Sequence, residues 1–583
     1  MSYHNTDQTK RNMIMRKQGR IIPSVVVKQI TFNNDKPFDL RPDDIVLLVG
    51  PNNVGKSRAI KDLRDDLNGI GDSPQSRVII KEIEYTTSGF TAEALMEFFK
   101  KNRIPNDLGE YYFSVDQYHN YTFTTSDFLN YSDERIFYKA LFSFLSTENR
   151  LDITQPIKFP SITDNHAISI MKELEHDSES INQLNEYLGR SFDKWIDVFE
   201  DYLHDGIVKK YKIGSIQEIV EALNADKRTN ANKLRNMDDL QDQGDGIRSA
   251  VATLASLIVN EHLLFLIDEP ETFLHPPQAR MLGRNIVKLS QGKQCFISTH
   301  SIDFIKGVLE SGYQRVKIIK IDRTENTNRF NIIDGDVISQ IANDKNLKYT
   351  NILDGLFYSQ LVLCEDESDC KFYSAILEHL DSKTYQSTLF CAVGGKHQFK
   401  KIVPLLNGLQ INYIIVADID LIDDIIFLKQ LMNSIESNCY DKIQFQHKEF
   451  IEKYRAKVNP QLKTQAKLKS DINALLTDSD YMTESVARQI KDLLKIPNAF
   501  ALLKKEGIHS LPEGECSSLF YEIKNFLNSH KTFILECGEI EQLVSDVDGH
   551  GISWVEKTFE KYPDIGGSVY DEARRFIKSV FRL

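Results

Sequence analysis

Four carboxylates in the second half of this 583-residue chain have the spacing of a divalent-metal site. In LVLCEDESDCKFYSAIL an apolar run ends at Glu365 and a helical pattern follows, with Asp369 about one helical turn beyond it. In NYIIVADID, Asp418 and Asp420 close another apolar run, two residues apart and therefore on one face. Four acids converging in this way would repel one another, and magnesium or manganese, which favour carboxylate and water oxygens, would relieve the repulsion. Two such ions about 4 Å apart can stabilise both the attacking and the leaving oxygen of a phosphodiester displacement. Acids in a first helical turn are also ordinary N-terminal caps, so each cluster alone has a purely structural use.

The first half holds residues suited to a different phosphate chemistry. IVLLVGPNNVGKS places Gly50, Asn52, Asn53, Gly55, Lys56 and Ser57 between a buried strand and a helical pattern, the context a P-loop needs. Its backbone N–H groups can close around phosphate oxygens at the helix N-terminus, Lys56 can reach the β and γ phosphates, and Ser57 can ligate magnesium. ATP and magnesium are the implied cofactors. LLFLIDEPETFLH ends in Asp268, suited to holding magnesium through water, and Glu269, suited to orienting an attacking water. After the next apolar run, His300 in STHS stands where it could touch the γ phosphate, although a histidine there is also an ordinary structural residue. Gly244 and Gly246 in LQDQGDGIRSAVATLASLI precede an apolar helical run, as a nucleotide-contacting turn or a solvent loop would.

The elements that must position these residues are short apolar runs at 45–50, 263–268, 295–299, 361–366 and 414–418, which read as buried parallel strands alternating with helices. Ligands of such α/β sheets gather beyond the carboxyl ends of the strands, where the polar residues above fall. Between about 125 and 240 the apolar residues take helical spacing, which predicts a helical insertion. The expected organisation is a basic tail over 1–24, a nucleotide-binding region over 25–350 and a metal-binding region over 351–583.

A composition of 41% hydrophobic and 27% charged residues supports ordinary cores and two to four domains. The net charge of −13 confines any nucleic-acid contact to local basic stretches, Lys10 to Arg20 or Lys453 to Lys469, each of which is also a plausible solvated face. Seven cysteines without a C-x-x-C pair predict reduced thiols, and the lack of a long apolar run predicts a cytoplasmic protein with no membrane partner.

A P-loop, a D-E-P strand end and an S-T-H strand end in this order resemble the ABC ATPase superfamily, particularly its RecF-like and SMC-like branch. The resemblance implies that Gly244 and Gly246 form the signature, although QGDG departs from the usual Leu-Ser-Gly-Gly-Gln, and that a homodimer or higher homo-oligomer closes over ATP. Glu365, Asp369, Asp418 and Asp420, with AVGGKHQFKKIV between the pairs, resemble a TOPRIM domain, with Asp366 where glycine is usual. The two together resemble the OLD family of nucleases, with relatives in Gabija and retron anti-phage defence. That family implies an α/β chain, an ABC-type ATPase domain with a helical insertion followed by a TOPRIM domain with C-terminal helical additions. It further implies an ATP-regulated, magnesium- or manganese-dependent DNA endonuclease. The family's paired acids match Glu539 and Glu541 best, ahead of Glu536, and its lysine is matched by Lys557 or Lys578, with Lys557 preferred. A defence-system partner protein, or a retron RNA/DNA with its reverse transcriptase, would be a further partner. The competing readings are an SMC- or RecF-like DNA repair ATPase whose TOPRIM-like domain is not catalytic, or an effector active only with a partner. The motifs are compatible with ATP either activating or restraining cutting.

Overall fold

The computed structural model describes the chain apart from residues 1–15, 18–19, 34–36, 70–78, 102–103, 106–110, 117–118, 124, 132, 160–169, 171–173, 176, 204–205, 224–231, 325–326, 334, 344–350, 459–463, 477–481 and 495–498. Most of the basic tail, and Lys463 of the second basic stretch, lie outside the described residues. The chain forms two units, Met1–Phe357 and Tyr358–Leu583.

The first unit is built on a six-stranded sheet. Its strands are β1 (Ile45–Val49), β2 (Phe142–Leu145), β5 (Leu264–Asp268), β6 (Gln294–Ser298), β7 (Val316–Thr324) and β8 (Thr327–Ile333), in the spatial order β2-β5-β6-β1-β7-β8. All neighbours are parallel except the terminal β7–β8 pair. Every residue of β1 and β6 is buried, which is why these strands read as continuous apolar runs rather than alternating ones. Helix α1 (Lys56–Leu67) follows β1, α2 (Thr147–Ile153) follows β2 and α4 (Asp245–Val259) precedes β5.

The insertion is mixed rather than helical. After α3 (Ser178–Phe192), capped by Asp177, the chain runs through an antiparallel hairpin of β3 (Trp195–Leu203) and β4 (Gly206–Gly214). Short strands at Ile157–Phe159 and Asp238–Asp239 extend it to a four-stranded sheet. Opposite charges face one another across the ladder, Glu200 with Lys209 and Asp197 with Lys212, and Lys209 reaches Glu200 at 2.7 Å. Charged residues interleaved with Ile196, Val198 and Phe199 mask the strand period, whereas α3 shows its helical period openly.

The second unit is a parallel four-stranded sheet of β9 (Gln360–Cys364), β10 (Thr388–Ala392), β11 (Tyr413–Ala417) and β12 (Thr532–Ile534), ordered β10-β9-β11-β12. Helix α5 (Glu367–Leu380) follows β9 and buries Phe372, Tyr373, Ile376 and Leu377. C-terminal helices α10 (Gly551–Lys561) and α11 (Asp571–Phe581) share that core through Trp554, Val555, Ala573 and Ile577. Trp554 is fully buried with its ring 5.2 Å from Phe372, and such an aromatic pair contributes about 1 kcal/mol beyond the area it buries. Between β11 and β12 the chain detours through α6 (Ile425–Ile435), α7 (Gln444–Val458), α8 (Ala499–Glu506) and α9 (Glu515–Ser529). The seven cysteines are free, and among the described residues no helix is long and apolar enough to cross a membrane.

Candidate functional site

In the first unit β1 runs into the glycine-rich loop and then into α1, with Gly55 as the residue ahead of the helix. The loop needs its glycines: Gly50 has φ 146°, and a Cβ there would lie 2.1 Å from the Ile321 carbonyl oxygen. Gly55 has φ 100° and Asn53 φ 63°, both left-handed; Asn52 and Asn53 are exposed, and Ser57 is the second residue of α1. Lys56 Nζ donates to the carbonyls of Gly50 and Pro51, each at 2.9 Å. Burial lowers its pKa against the opposing pull of Glu269, Glu271 and Asp268.

Asp268 closes β5 and accepts a hydrogen bond from the hydroxyl of Ser298 at the end of β6. The next N–H, that of Glu269, donates to the carbonyl and hydroxyl oxygens of Ser298, both at 3.1 Å, and Glu269 sits at φ 48°. His300 Nδ1 is 3.5 Å from both Glu269 Oε1 and Glu271 Oε1. Its hydrogen bond with Glu269 raises the imidazole's pKa and lowers the carboxylate's. The sequence-predicted Asp268, Glu269 and His300 are thus assembled at adjacent strand ends. Gly244 stands ahead of α4, and Gly246 lies in its first turn, where a Cβ would come within 2.5 Å of the Phe273 carbonyl oxygen.

Two residues here escaped the motifs. Arg150, fully buried on α2, donates to the carbonyls of Asp268 at 2.7 Å, Glu269 at 2.9 Å and Leu145 at 2.8 Å, and to the Ser249 hydroxyl of α4 at 2.7 Å. It fastens the acidic strand end to the helix that opens at Gly244. Buried Glu271 accepts from Thr299 Oγ1 at 2.6 Å and from the His300 N–H at 2.9 Å.

In the second unit Glu365 follows β9, and its carbonyl accepts the N–H groups of Gly394 and Gly395, each at 3.0 Å. Its carboxylate lies 3.4 Å from the Asp418 N–H at the end of β11. Glu365, Asp418 and Asp420 each offer a carboxylate oxygen within 4.8 Å of the others. Asp369, in the first turn of α5, accepts the Asp366 N–H at 3.0 Å. Asp366 is extended at φ −131°, so the usual glycine is not required there. Burial first, then Asp418 and Asp420, push Glu365 up to about 8. Burial and Asp418 push Asp369 to about 7, and burial raises Asp418 to about 6 against the pull of Lys504.

Glu539 and Glu541, just past β12, lie with His550 in a second group whose ligand atoms fall within 4.8 Å of one another. Glu541 Oε1 accepts the Gly551 N–H at 2.7 Å and lies 2.5 Å from His550 Nδ1. Burial and Glu541 raise the Glu539 carboxyl, and Glu539 in turn acts on Asp418, so the two groups adjoin. Glu536 pairs instead with Lys524. Asp420 Oδ1 and Glu541 Oε2 are buried with no hydrogen-bond partner, a condition that a bound divalent cation would satisfy.

The lysine expectation needs correction. Lys557 is exposed and donates to the Asp548 carbonyl at 3.2 Å, and Lys578 is exposed on α11. The cations at the acids are Lys504 of α8, 2.8 Å from Asp418 Oδ2 and 3.9 Å from Asp420 Oδ2, and Lys396, 3.1 Å from the carboxylates of Asp420 and Asp423. Burial works against Lys504's charge, but Asp418, Asp420 and Glu365 outweigh it and hold the ammonium above its usual range. Lys396 adjoins the glycine pair that wraps Glu365, a signal present in the sequence; nothing local marks Lys504.

Residues 45–305 match the family model "AAA domain, putative AbiEii toxin, Type IV TA system", and residues 356–420 match "Overcoming lysogenization defect protein-like, TOPRIM domain". The Old nuclease of Escherichia phage P2 is 23% identical over 265 residues, 44% of this chain and 43% of that protein. An uncharacterised protein of Dictyostelium discoideum is 25% identical over 258 residues, 37% of this chain and 33% of that protein. The chain therefore spans less than half the length of these curated relatives. Among solved structures, an Smc head bound to the C-terminal winged-helix domain of ScpA is 12% identical with a TM-score of 0.32, covering 53% of this chain and 98% of that one. The chain thus carries an AAA-type ATPase domain leading into an OLD-like TOPRIM domain, a pairing that supports an OLD-family ATPase–TOPRIM protein.

Proposed function

We propose that the second unit hydrolyses phosphodiester bonds of DNA with divalent metal and that ATP bound by the first unit regulates it. The observation that carries this reading is the cluster of Glu365, Asp418 and Asp420, with the Glu539–Glu541–His550 group acting on it through Glu539, and with Asp420 and Glu541 each keeping a buried oxygen without a hydrogen-bond partner. The carboxylates are hard oxygen donors suited to magnesium or manganese, which would supply Lewis-acid activation of water and of the scissile phosphate. The residues themselves hold the charge pattern: Glu365 and Asp418 come from adjacent strands, and the Gly394–Gly395 turn fixes the Glu365 backbone. Lys504 places a cation beside Asp418 where it can contact a phosphate oxygen.

In the first unit Lys56, Ser57 and Asp268 would hold ATP and magnesium, Glu269 would orient the attacking water, and His300 would keep Glu269 ionised and aimed. The Gly244–Gly246 turn would meet nucleotide held by a second copy, making a dimer the hydrolytic unit. A role as an anti-phage effector, with a protein or retron partner, follows from the family likeness.

The test is plasmid cleavage by purified protein with magnesium or manganese, with and without ATP, alongside nucleotide-binding measurements. Glu365→Gln and Asp418→Asn should each lower cleavage by roughly two to three orders of magnitude with ATP binding retained. Undiminished cutting by either variant sinks the nuclease assignment. Wild-type protein that binds DNA and hydrolyses ATP but never cuts would favour a repair-type ATPase.

A further inference from the structure

A second cation site, of different chemistry, stands away from these acids where the long detour of the second unit leaves the sheet and returns to it. Glu436 ends α6, Cys439 lies in the turn that follows, and His530 ends α9 just before β12. One ligand atom from each lies within 4.8 Å of the others, and His530 Nε2 is 3.9 Å from Glu436 Oε2. We propose that Glu436, Cys439 and His530 bind a thiophilic divalent metal such as zinc, which staples the two ends of the detour.

Three observations point the same way. Cys439 is fully buried, yet among the described residues its thiol makes no hydrogen bond, disulfide or ring contact, so an otherwise unused sulfur faces the carboxylate and the imidazole. His530 Nδ1 is 2.8 Å from the Phe526 carbonyl oxygen, an acceptor only, so Nδ1 carries the proton. That fixes the tautomer with the Nε2 lone pair facing the other two ligands, the arrangement in which metal-binding histidines are held. The donor set is also balanced: one thiolate, one carboxylate and one neutral imidazole carry two negative charges, matching a divalent ion.

Sulfur and nitrogen donors select zinc-like metals over the magnesium and manganese favoured by the oxygen-only acid groups. Tetrahedral bonds to zinc bring neighbouring ligand atoms to about 3.5 Å, so only a small rotation of the exposed Glu436 is needed. Lys442, 3.3 Å from Glu436, forms a solvent-exposed pair that the metal would displace at little cost. The chain between Cys439 and His530 is roughly 90 residues long, and closing so long a loop restricts the unfolded chain considerably. This inference does not depend on the nuclease reading, since none of the three residues belongs to its acid groups.

The experiment is cobalt titration of the full chain after chelation, followed by optical spectroscopy and then zinc competition. A thiolate-to-cobalt charge-transfer band with intense visible bands, one equivalent per chain and displaced by zinc, is expected. Cys439→Ser and His530→Gln should abolish the thiolate band, and Glu436→Gln should weaken cobalt binding at least tenfold. Glu365→Gln should leave the band intact, which separates this site from the nuclease acids. Should Cys439→Ser fail to fold, His530→Gln and Glu436→Gln decide alone. A wild-type protein without the band, or a band that survives loss of either Cys439 or His530, overturns the proposal.

Discussion

The two units place acids at the carboxyl ends of buried parallel strands, yet they hold those acids in opposite electrostatic states. At the end of β5, Asp268 and Glu269 meet hydrogen-bond donors and cations: Ser298, His300, buried Arg150 and Lys56. The Glu269 carboxyl is held below its ordinary range. At the ends of β9 and β11, burial drives both Glu365 and Asp418 upward; Asp418 and Asp420 add to it at Glu365, and Asp420 and Glu539 add to it at Asp418 against the pull of Lys504. The first arrangement is a finished carboxylate, aimed by its neighbours; the second, on the proposed function, would be completed by divalent cations. On the proposed function, Glu269 would thus be a positioned base in the first unit, whereas Glu365 and Asp418 would be metal ligands in the second.

Removing the partner that finishes the first arrangement should give the largest effect on stability. Arg150→Met would leave the carbonyls of Leu145, Asp268 and Glu269 and the Ser249 hydroxyl without their donor in a buried setting. A loss of about 3 kcal/mol from the first unit is expected. Trp195 lies in the first unit and Trp554 in the second, so single-tryptophan variants report each unit's urea unfolding separately. A cost under about 1 kcal/mol in the Trp195 transition would show that Arg150 is not what holds the strand end.

Arg150 also marks the limit of what the sequence discloses. The strands, P-loop, acids and D-x-D spacing are legible because each depends on neighbours within a few residues. Arg150 and Lys504 act on carbonyls and carboxylates more than eighty residues away in the chain, and a lone arginine or lysine carries no local pattern. The family likeness points to a lysine after the acids in the chain, Lys557 or Lys578, whereas the fold supplies Lys504 from the preceding detour. The β3–β4 hairpin was hidden for the opposite reason, since its local pattern existed but charges paired across the ladder diluted it.

The unfinished arrangement should reveal itself in pH dependence. A carboxyl whose folded pKa is raised binds its proton more tightly folded than unfolded. Its stabilising contribution is present below the ordinary carboxylate range and is lost as pH rises through the folded value. For Glu365, Asp369 and Asp418, folded values of about 8, 7 and 6 place that loss between about pH 4 and pH 8. In chelator, the Trp554 transition should weaken across this window, and manganese at pH 8 should restore it. Glu365→Gln should flatten the slope. A chelated wild type whose second unit is as stable at pH 8 as at pH 5, relative to Glu365→Gln, would show that the acids are already neutralised by protein groups.

Lys504 offers the finest test, because it sets a cation beside Asp418 and so brings the second arrangement nearer to the first. Its ammonium lies 2.8 Å from Asp418 and partly offsets the repulsion that a metal would relieve, so it competes with the metal for the same negative potential. The side chain is about one-third exposed and screened by solvent, which keeps the effect modest. Lys504→Met should tighten manganese binding several-fold by calorimetry, roughly 1 kcal/mol. Cleavage at saturating metal should fall, because the cation that could meet a phosphate oxygen is gone. Lys56→Met in the first unit should leave manganese binding by the acid groups unchanged. Weaker manganese binding in Lys504→Met would mean that the lysine aligns Asp418 and Asp420 rather than competing for them, and the second acid group would then be prearranged by the protein much as the first is.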